Sequence, residues 1–448
     1  MRKSGFTLLT TLALGVCALP SAAFAQDAAP AAPVAPAPAG APAAAPATPA
    51  TEPAAAPAAA PPPVAPTDAA PALAGAAPTP AEAAPPAPPA PPYPSTTITG
   101  FIEGGYHKIL SAPHINTPVP MHAYDSGNGF QLHLAHLALK HQLNEHVFGV
   151  IEFDAGADAA YNHNPNGYPD KAGTGTLFDV QEAYGVYTDS GFTFTAGKFA
   201  TYEGIEVIEG PADPTITRGF LYWLAEPVTH TGAKLHYASG PVDVGVGLVN
   251  GWDTNNGVFA TGDNNDQKTV IWRAAVTPSP QFFAALSGSY GVEKATNKDP
   301  RLSVDLTGAF VPADNVTINF QGNVGSEKNS DVLTDPANPK AASWYGFGIQ
   351  PVFKIDAATI GARFEYFQDK GLTRVGAAFP NTAVPAGTAA FTKVGLWNFT
   401  LTPGYTVAGA FTMRAEFRID GASQPILGTG SEGKKTQETI ALGAHYMF

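Results

Sequence analysis

Val316-Thr317-Ile318-Asn319-Phe320-Gln321-Gly322-Asn323-Val324 alternates without a break, apolar or small at every even position and hydroxyl or amide at every odd one. A period of two puts the two sets on opposite faces of a strand, one face made for an apolar neighbour and one for water. The same pattern recurs in Leu302, Val304, Leu306 and Phe310 against Ser303, Asp305 and Thr307. It returns in Met413, Ala415, Phe417 and Ile419 against Arg414, Glu416, Arg418 and Asp420, and in Ile440, Leu442, Ala444, Tyr446 and Phe448. A sandwich in water also alternates this way, so the connections must decide the fold.

Short turns are expected at Leu143–His146, Asp189–Gly191, Gly240–Pro241, Pro278–Pro280, Pro312–Asn315, Ile355–Ala358 and Ala408–Ala410. Between them fall long Gly, Asn, Asp and Pro-rich loops at Ser111–Gly127, Ala159–Thr176, Thr201–Val228, Gly251–Gln267, Glu293–Pro300, Ser326–Ala342, Lys370–Phe391 and Gly421–Lys435. The spacing leaves about sixteen strands, with both chain ends on the short-turn side, as single-chain outer-membrane barrels require. Closure also pairs every backbone group, which hydrocarbon demands and an open sheet cannot provide. The expected fold is therefore all-β: a transmembrane antiparallel β-barrel of about sixteen strands over residues 96–448. Tyr106, Tyr184, Tyr187, Tyr237, Trp272, Tyr290, Trp344, Tyr366, Trp397 and Tyr446 lie toward strand ends and are expected in the aromatic girdles. Phe178–Tyr187 breaks the alternation at Glu182, which predicts a bulge or a register change there.

Outward from the barrel, the N-terminal part reads differently. Residues 1–25 have basic Arg2 and Lys3, an apolar run from Phe6 to Leu19 and an Ala23-Phe24-Ala25 cleavage site, the form of a secretory signal peptide. Cys17, the only cysteine, falls in that run, behind a Val16 too large for usual lipoprotein processing, so the mature chain is expected to lack cysteine. Residues 26–95 are almost wholly Ala and Pro, with roughly half of the 44 prolines, and are expected to be a disordered, extended periplasmic linker. The net charge is −13, and −15 without Arg2 and Lys3, which argues against nucleic acid as a partner. After the signal no apolar run approaches the roughly 20 residues of a membrane helix, so the membrane is to be crossed with strands.

The charges on the polar faces are the most informative candidates. Glu152, Asp154, Asp305, Arg363, Glu365, Arg414, Glu416 and Arg418 alternate with lipid-type residues, and an Arg facing mid-bilayer lipid costs roughly 2–4 kcal/mol. They are expected to line the lumen, as ion-pair ladders, as a transverse field across the pore, or as both. The Thr201–Val228 loop carries Glu203, Glu206, Glu209, Asp213, Arg218 and Glu226 among Ile205, Val207, Ile208, Phe220, Leu221, Tyr222 and Trp223. So apolar a loop is expected to fold inward as a constriction whose carboxylates favour cations. An extracellular flap on the rim is the other reading.

Metal and nucleotide chemistry are not expected. His133, His136, His141 and His146 are too far apart on a regular strand to share a metal, because residues three apart face opposite ways and eight residues span far beyond ligand reach. His107, His114 and His122 around the first loop stay open as ligands. Gly428–Thr436 nearly spells a phosphate loop, but Lys435 stands where Ser or Thr is needed and a strand follows. Asp253, Asp263, Asn264, Asn265 and Asp266 read as solvated turn residues without calcium-loop spacing.

The alternating strand ending at Phe448, with Tyr446 on the same face, resembles the C-terminal signal read by the barrel-assembly machinery. The run Gly197-Lys198-Phe199, Glu206-Val207-Ile208-Glu209, Asp213-Pro214, Arg218 and Pro227-Val228-Thr229-His230-Thr231-Gly232 resembles the OmpL-like β-barrel porin family over most of Ile98–Phe448. That resemblance implies a channel. The expected function is an outer-membrane porin passing small hydrophilic solutes or ions, needing no cofactor and no covalent chemistry, its contacts being lipid and assembly machinery. A homo-oligomer is compatible with that class. The rivals are a barrel hydrolase, for which no G-x-S-x-G segment is found, and a plugged tethering barrel.

Overall fold

A computed structural model of the chain describes residues 93–110, 128–159, 178–252, 265–294, 298–331, 339–375, 392–427 and 434–448. The signal-peptide reading of residues 1–25 and nearly all of the 26–95 linker lie outside the described residues, as do His114, His122, Asp253, Asp263, Asn264 and Gly428–Gly433.

Sixteen strands follow in chain order: β1 (Ser95–Ile109), β2 (Gly129–Gln142), β3 (Val147–Ala155), β4 (Phe178–Asp189), β5 (Phe192–Ala200), β6 (Thr229–Ser239), β7 (Val242–Val249), β8 (Thr269–Ser279), β9 (Phe282–Val292), β10 (Pro300–Ala313), β11 (Val316–Asp331), β12 (Lys340–Ile355), β13 (Ala358–Lys370), β14 (Lys393–Val407), β15 (Phe411–Ala422) and β16 (Thr436–Met447). Each pairs antiparallel with its neighbours in sequence, and β1 closes the barrel on β16. The short connections fall where the sequence places them, and two are built for hairpin twist. Ser190 and Gly191 both have positive φ, as a primed two-residue turn needs, and Ala408 and Gly409 have it within the three-residue connection 408–410. The connection expected at Ser326–Ala342 is shorter, since β11 runs on to Asp331 and β12 begins at Lys340.

The alternation becomes two faces. Along β11, Asn319, Gln321 and Asn323 are buried inside while Val324 is 54% exposed outside. Along β10, Ser303 and Asp305 are fully buried, with Leu302, Leu306 and Phe310 on the outer face. Tyr187, Tyr237, Tyr290, Trp397 and Tyr446 are exposed as a girdle requires. Tyr184 and Trp344 are not: both are buried, with Trp344 in the apolar cluster of Phe220, Leu221, Phe367 and Leu396. Their strand positions suit a girdle, but their parity turns them inward.

Five register shifts interrupt the ladders among the described residues, and two of them change which residues face inward near the site. Between β3 and β4 the register slips so that Glu152 faces Glu182 and Phe153 faces Val180, skipping Gln181 and turning both Gln181 and Glu182 inward. Between β1 and β2, Glu103 faces Leu134 and Gly104 faces Leu132, so the extra residue is His133. His133 and His136 are therefore both buried, which corrects the expectation that residues three apart on this strand face opposite ways.

At closure, Phe448 and Gly100 exchange backbone hydrogen bonds of 3.0 Å each, and the Phe448 ring lies over Gly100, where a Cβ would come within 2.8 Å of it. Deleting Phe448 removes both bonds, a loss of about 1–3 kcal/mol. Urea unfolding in lipid vesicles should then occur at a lower urea concentration, and an unchanged midpoint would show that the terminal pair does not hold the seam.

Candidate functional site

The segment between β5 and β6 does not leave the barrel. It crosses the interior, with a 3-10 turn at Gly210–Ala212 and a short helix at Phe220–Leu224. A connection that supplies no ladder must satisfy its backbone groups with side chains, and here the inward faces of β10, β13 and β15 provide them.

Three arginines do most of this. Arg363 donates from Nη1 to Glu206 Oε1 at 2.6 Å, Thr215 Oγ1 at 2.8 Å and the Thr217 carbonyl at 2.5 Å, and from Nη2 to Thr400 at 3.1 Å. Arg414 donates to the carbonyls of Gly210, Asp213 and Thr215 at 3.0–3.3 Å and pairs with Glu103. Arg418 reaches the Arg218 carbonyl at 2.5 Å and Thr217 Oγ1 at 3.1 Å, with Asp420 on its Nε at 2.8 Å. Carboxylates between them accept the loop's N–H groups: Glu416 from Ile216 at 2.6 Å, Glu365 from Phe220 at 2.7 Å, and Asp305 from Gly204 at 3.1 Å. Arg363, Arg418, Asp305, Glu365 and Glu416 are all under 5% exposed. The loop therefore covers these five candidates, and Arg414 at 7% exposure with them, rather than leaving them on an open wall.

The loop is also tied to itself. Arg218 pairs with Asp213 at 2.9 Å and donates to the carbonyls of Val207 and Ile208 at 2.7 and 2.8 Å. Burial disfavours the Arg218 charge, but Asp213 beside it outweighs this and raises its pKa. Glu206 bonds to the Gly219 N–H at 2.6 Å and to Gln350 at 3.0 Å besides Arg363. Glu203 accepts from Ser303 at 2.5 Å, Glu226 from Gln321 at 2.7 Å, and Glu209 from Gln181. Burial first, and Asp305 second, push the Glu226 carboxyl well above the usual range. The helix packs Phe220, Leu221 and Leu224 against Trp344, Phe367 and Leu396.

On the other side of the loop, against β3 and β4, a cavity is left. Glu152, Glu182, Glu203, Glu206, Glu209 and Glu226 line it together with Tyr184 and Tyr222. Asp154, next inward on β3, is fully buried and bonded to His136 at 2.8 Å. The eight wall candidates thus fall into two groups, Glu152 and Asp154 on the β3 side and the other six under the loop. Glu182, Glu103 and Tyr222 escape a reading of the sequence as site residues. Only the bulge turns Glu182 inward, Glu103 is a single residue of a segment with no other sign of function, and Tyr222 counts in the sequence only toward the apolar content of the 201–228 loop. Among the described residues no group of three or more His, Cys, Asp or Glu is arranged to hold a metal ion.

The barrel resembles solved outer-membrane structures. It matches an anion-selective porin from Comamonas acidovorans with a TM-score of 0.52 at 10% identity, covering 79% of this chain and 99% of that one. It matches the outer membrane channel DcaP of Acinetobacter baumannii with a TM-score of 0.51 at 10% identity, covering 79% and 97%. No curated protein matches it in sequence. At such identities the structures share a fold, and the family rests on sequence. Residues 95–448 match the model of the family described as "Putative beta-barrel porin-2, OmpL-like", so the chain belongs to that family and is an outer-membrane β-barrel of the porin kind.

Proposed function

We propose that the protein is a passive diffusion channel for small hydrophilic solutes and ions, with a preference for cations. The observation that carries this reading is the asymmetry of the lumen. The guanidinium groups of Arg363, Arg414 and Arg418 are occupied by the loop and by Glu206, Glu103 and Asp420, whereas Glu152, Glu182 and Glu209 stay on the cavity side. Solutes then pass along the gap between the loop and the β3–β4 wall, whose ionisable lining is glutamate and tyrosine with no Lys or Arg, which favours cations over anions. Glu203, Glu206, Asp213 and Arg218 hold the constriction in shape. The exposed Tyr446 and Phe448 act as the signal for the barrel-assembly machinery. The anion preference in the Comamonas porin's name does not transfer, because side chains set selectivity and 10% identity does not carry them.

Planar-bilayer recording tests this. Stable ohmic steps in potassium chloride, with a reversal potential of the sign for cation passage under a salt gradient, are expected. A folded but sealed barrel, or an anion preference, would overturn the reading. Glu206 is a poor choice for neutralisation because it anchors Arg363, so Glu152→Gln and Glu209→Gln are preferred. A Coulomb energy of about 0.7 kcal/mol at 6 Å in water makes each worth roughly threefold in the cation-to-anion ratio.

A further inference from the structure

We propose that the cavity between the loop and the β3–β4 wall is a saturable binding site for a small organic cation bearing several N–H donors, such as a guanidine. The proposal rests on the cation-preferring channel above and adds a ligand class to it. Carboxylates alone would not make a site. The second observation is Tyr222, which is 4% exposed, lines the cavity, and has no hydrogen-bond partner for its hydroxyl among the described residues. Burial, its first cause, raises the phenol's pKa well above the usual value, so the hydroxyl stays neutral and offers its lone pairs to an N–H.

The carboxylates are similarly uncommitted. Glu152 has neither a hydrogen bond nor an ion pair among the described residues, and it faces Glu182 directly across the β3–β4 register. Glu182 accepts the Ala200 N–H on one oxygen, and Glu209 accepts Gln181 on one oxygen. Two nearby lysines, whose charges also reach Glu182, make their direct contacts with other groups. Lys198 donates to the Val180 carbonyl at 2.6 Å and to Asp179 at 3.3 Å, and Lys234 lies over the Phe199 and Tyr202 rings at 4.5 and 4.9 Å.

Why an organic cation rather than a metal follows from geometry. Calcium needs six to eight oxygens converging at about 2.3–2.6 Å. Here the acceptors stand around the walls of a small cavity, and among the described residues no three of them are arranged to hold one metal ion. A planar guanidinium spreads five N–H donors outward, which fits acceptors arranged around it.

The test is potassium chloride current through the full-length protein purified from outer membranes, titrated with millimolar guanidinium chloride. The current should fall saturably, and Glu152→Gln should raise the half-blocking concentration roughly tenfold or more, the worth of one charge-assisted hydrogen bond. Tyr222→Phe, which removes a single hydroxyl, should do the same and keeps the test independent of how Glu152→Gln assembles. A cation-preferring current with no saturable block, a block indifferent to both variants, or a calcium block at lower concentration than guanidinium overturns the site and leaves the channel standing. No conductance, or anion preference, overturns the channel and the site with it.

Discussion

Arg363→Ala is expected to raise single-channel conductance severalfold and to open the 201–228 segment to protease. Arg363 is fully buried and joins Glu206, Thr215 and Thr217 of the loop to Thr400 and Asn398 of β14. Truncation leaves the Glu206 carboxylate and the Thr217 carbonyl without their main donor. Breaking a buried pair by removing one partner costs about 3–5 kcal/mol, more than the neighbouring bonds from Arg414 and Arg418 compensate locally. The barrel's own ladder is untouched, so the change falls on the loop. Arg363→Lys keeps the charge but not the fork, and should lie between the wild type and alanine. Unaltered conductance in Arg363→Ala would mean that the loop is held by its apolar helix instead.

Leu306→Arg is expected to destabilise the barrel by about 2–4 kcal/mol, read as a lower urea midpoint for refolding into vesicles. Leu306 sits near the middle of β10 and is 44% exposed on the outer face, between buried Asp305 and Thr307. An arginine there meets hydrocarbon, whereas Arg363, Arg414 and Arg418 on inward positions meet acceptors. A substitution without effect would place the outer face of β10 away from lipid.

Most of this fold was legible because a strand's period is two, so one segment such as Val316–Val324 states which side chains face lipid. The turns added the strand count. What alternation could not show were the places where a residue is inserted: the bulges at His133 and Gln181 reverse the reading of everything that follows on those strands. Trp344 and Tyr184 illustrate a different limit. A residue type suited to the interface also fills a core, and position near a strand end cannot tell the two apart. The inward loop was signalled by its apolar content, and the wall charges by alternation. That the loop's backbone would occupy the arginines, leaving only part of the acidic set facing space, depends on contacts some 200 residues apart in sequence, such as Ile216 to Glu416.

The proposed conduction path requires the loop to lie fixed across the lumen while solute passes beside it. Ile216, at its far reach, packs against Ala441 of β16, and both are buried. In a Cys17→Ser background, which has no other cysteine, Ile216→Cys with Ala441→Cys places two thiols at that contact. Conductance of this protein before and after oxidation is the measurement. A disulfide that forms in the folded barrel, with conductance and cation preference unchanged, is the predicted result. Failure to cross-link in a folded barrel, or a channel that closes on oxidation, would contradict it.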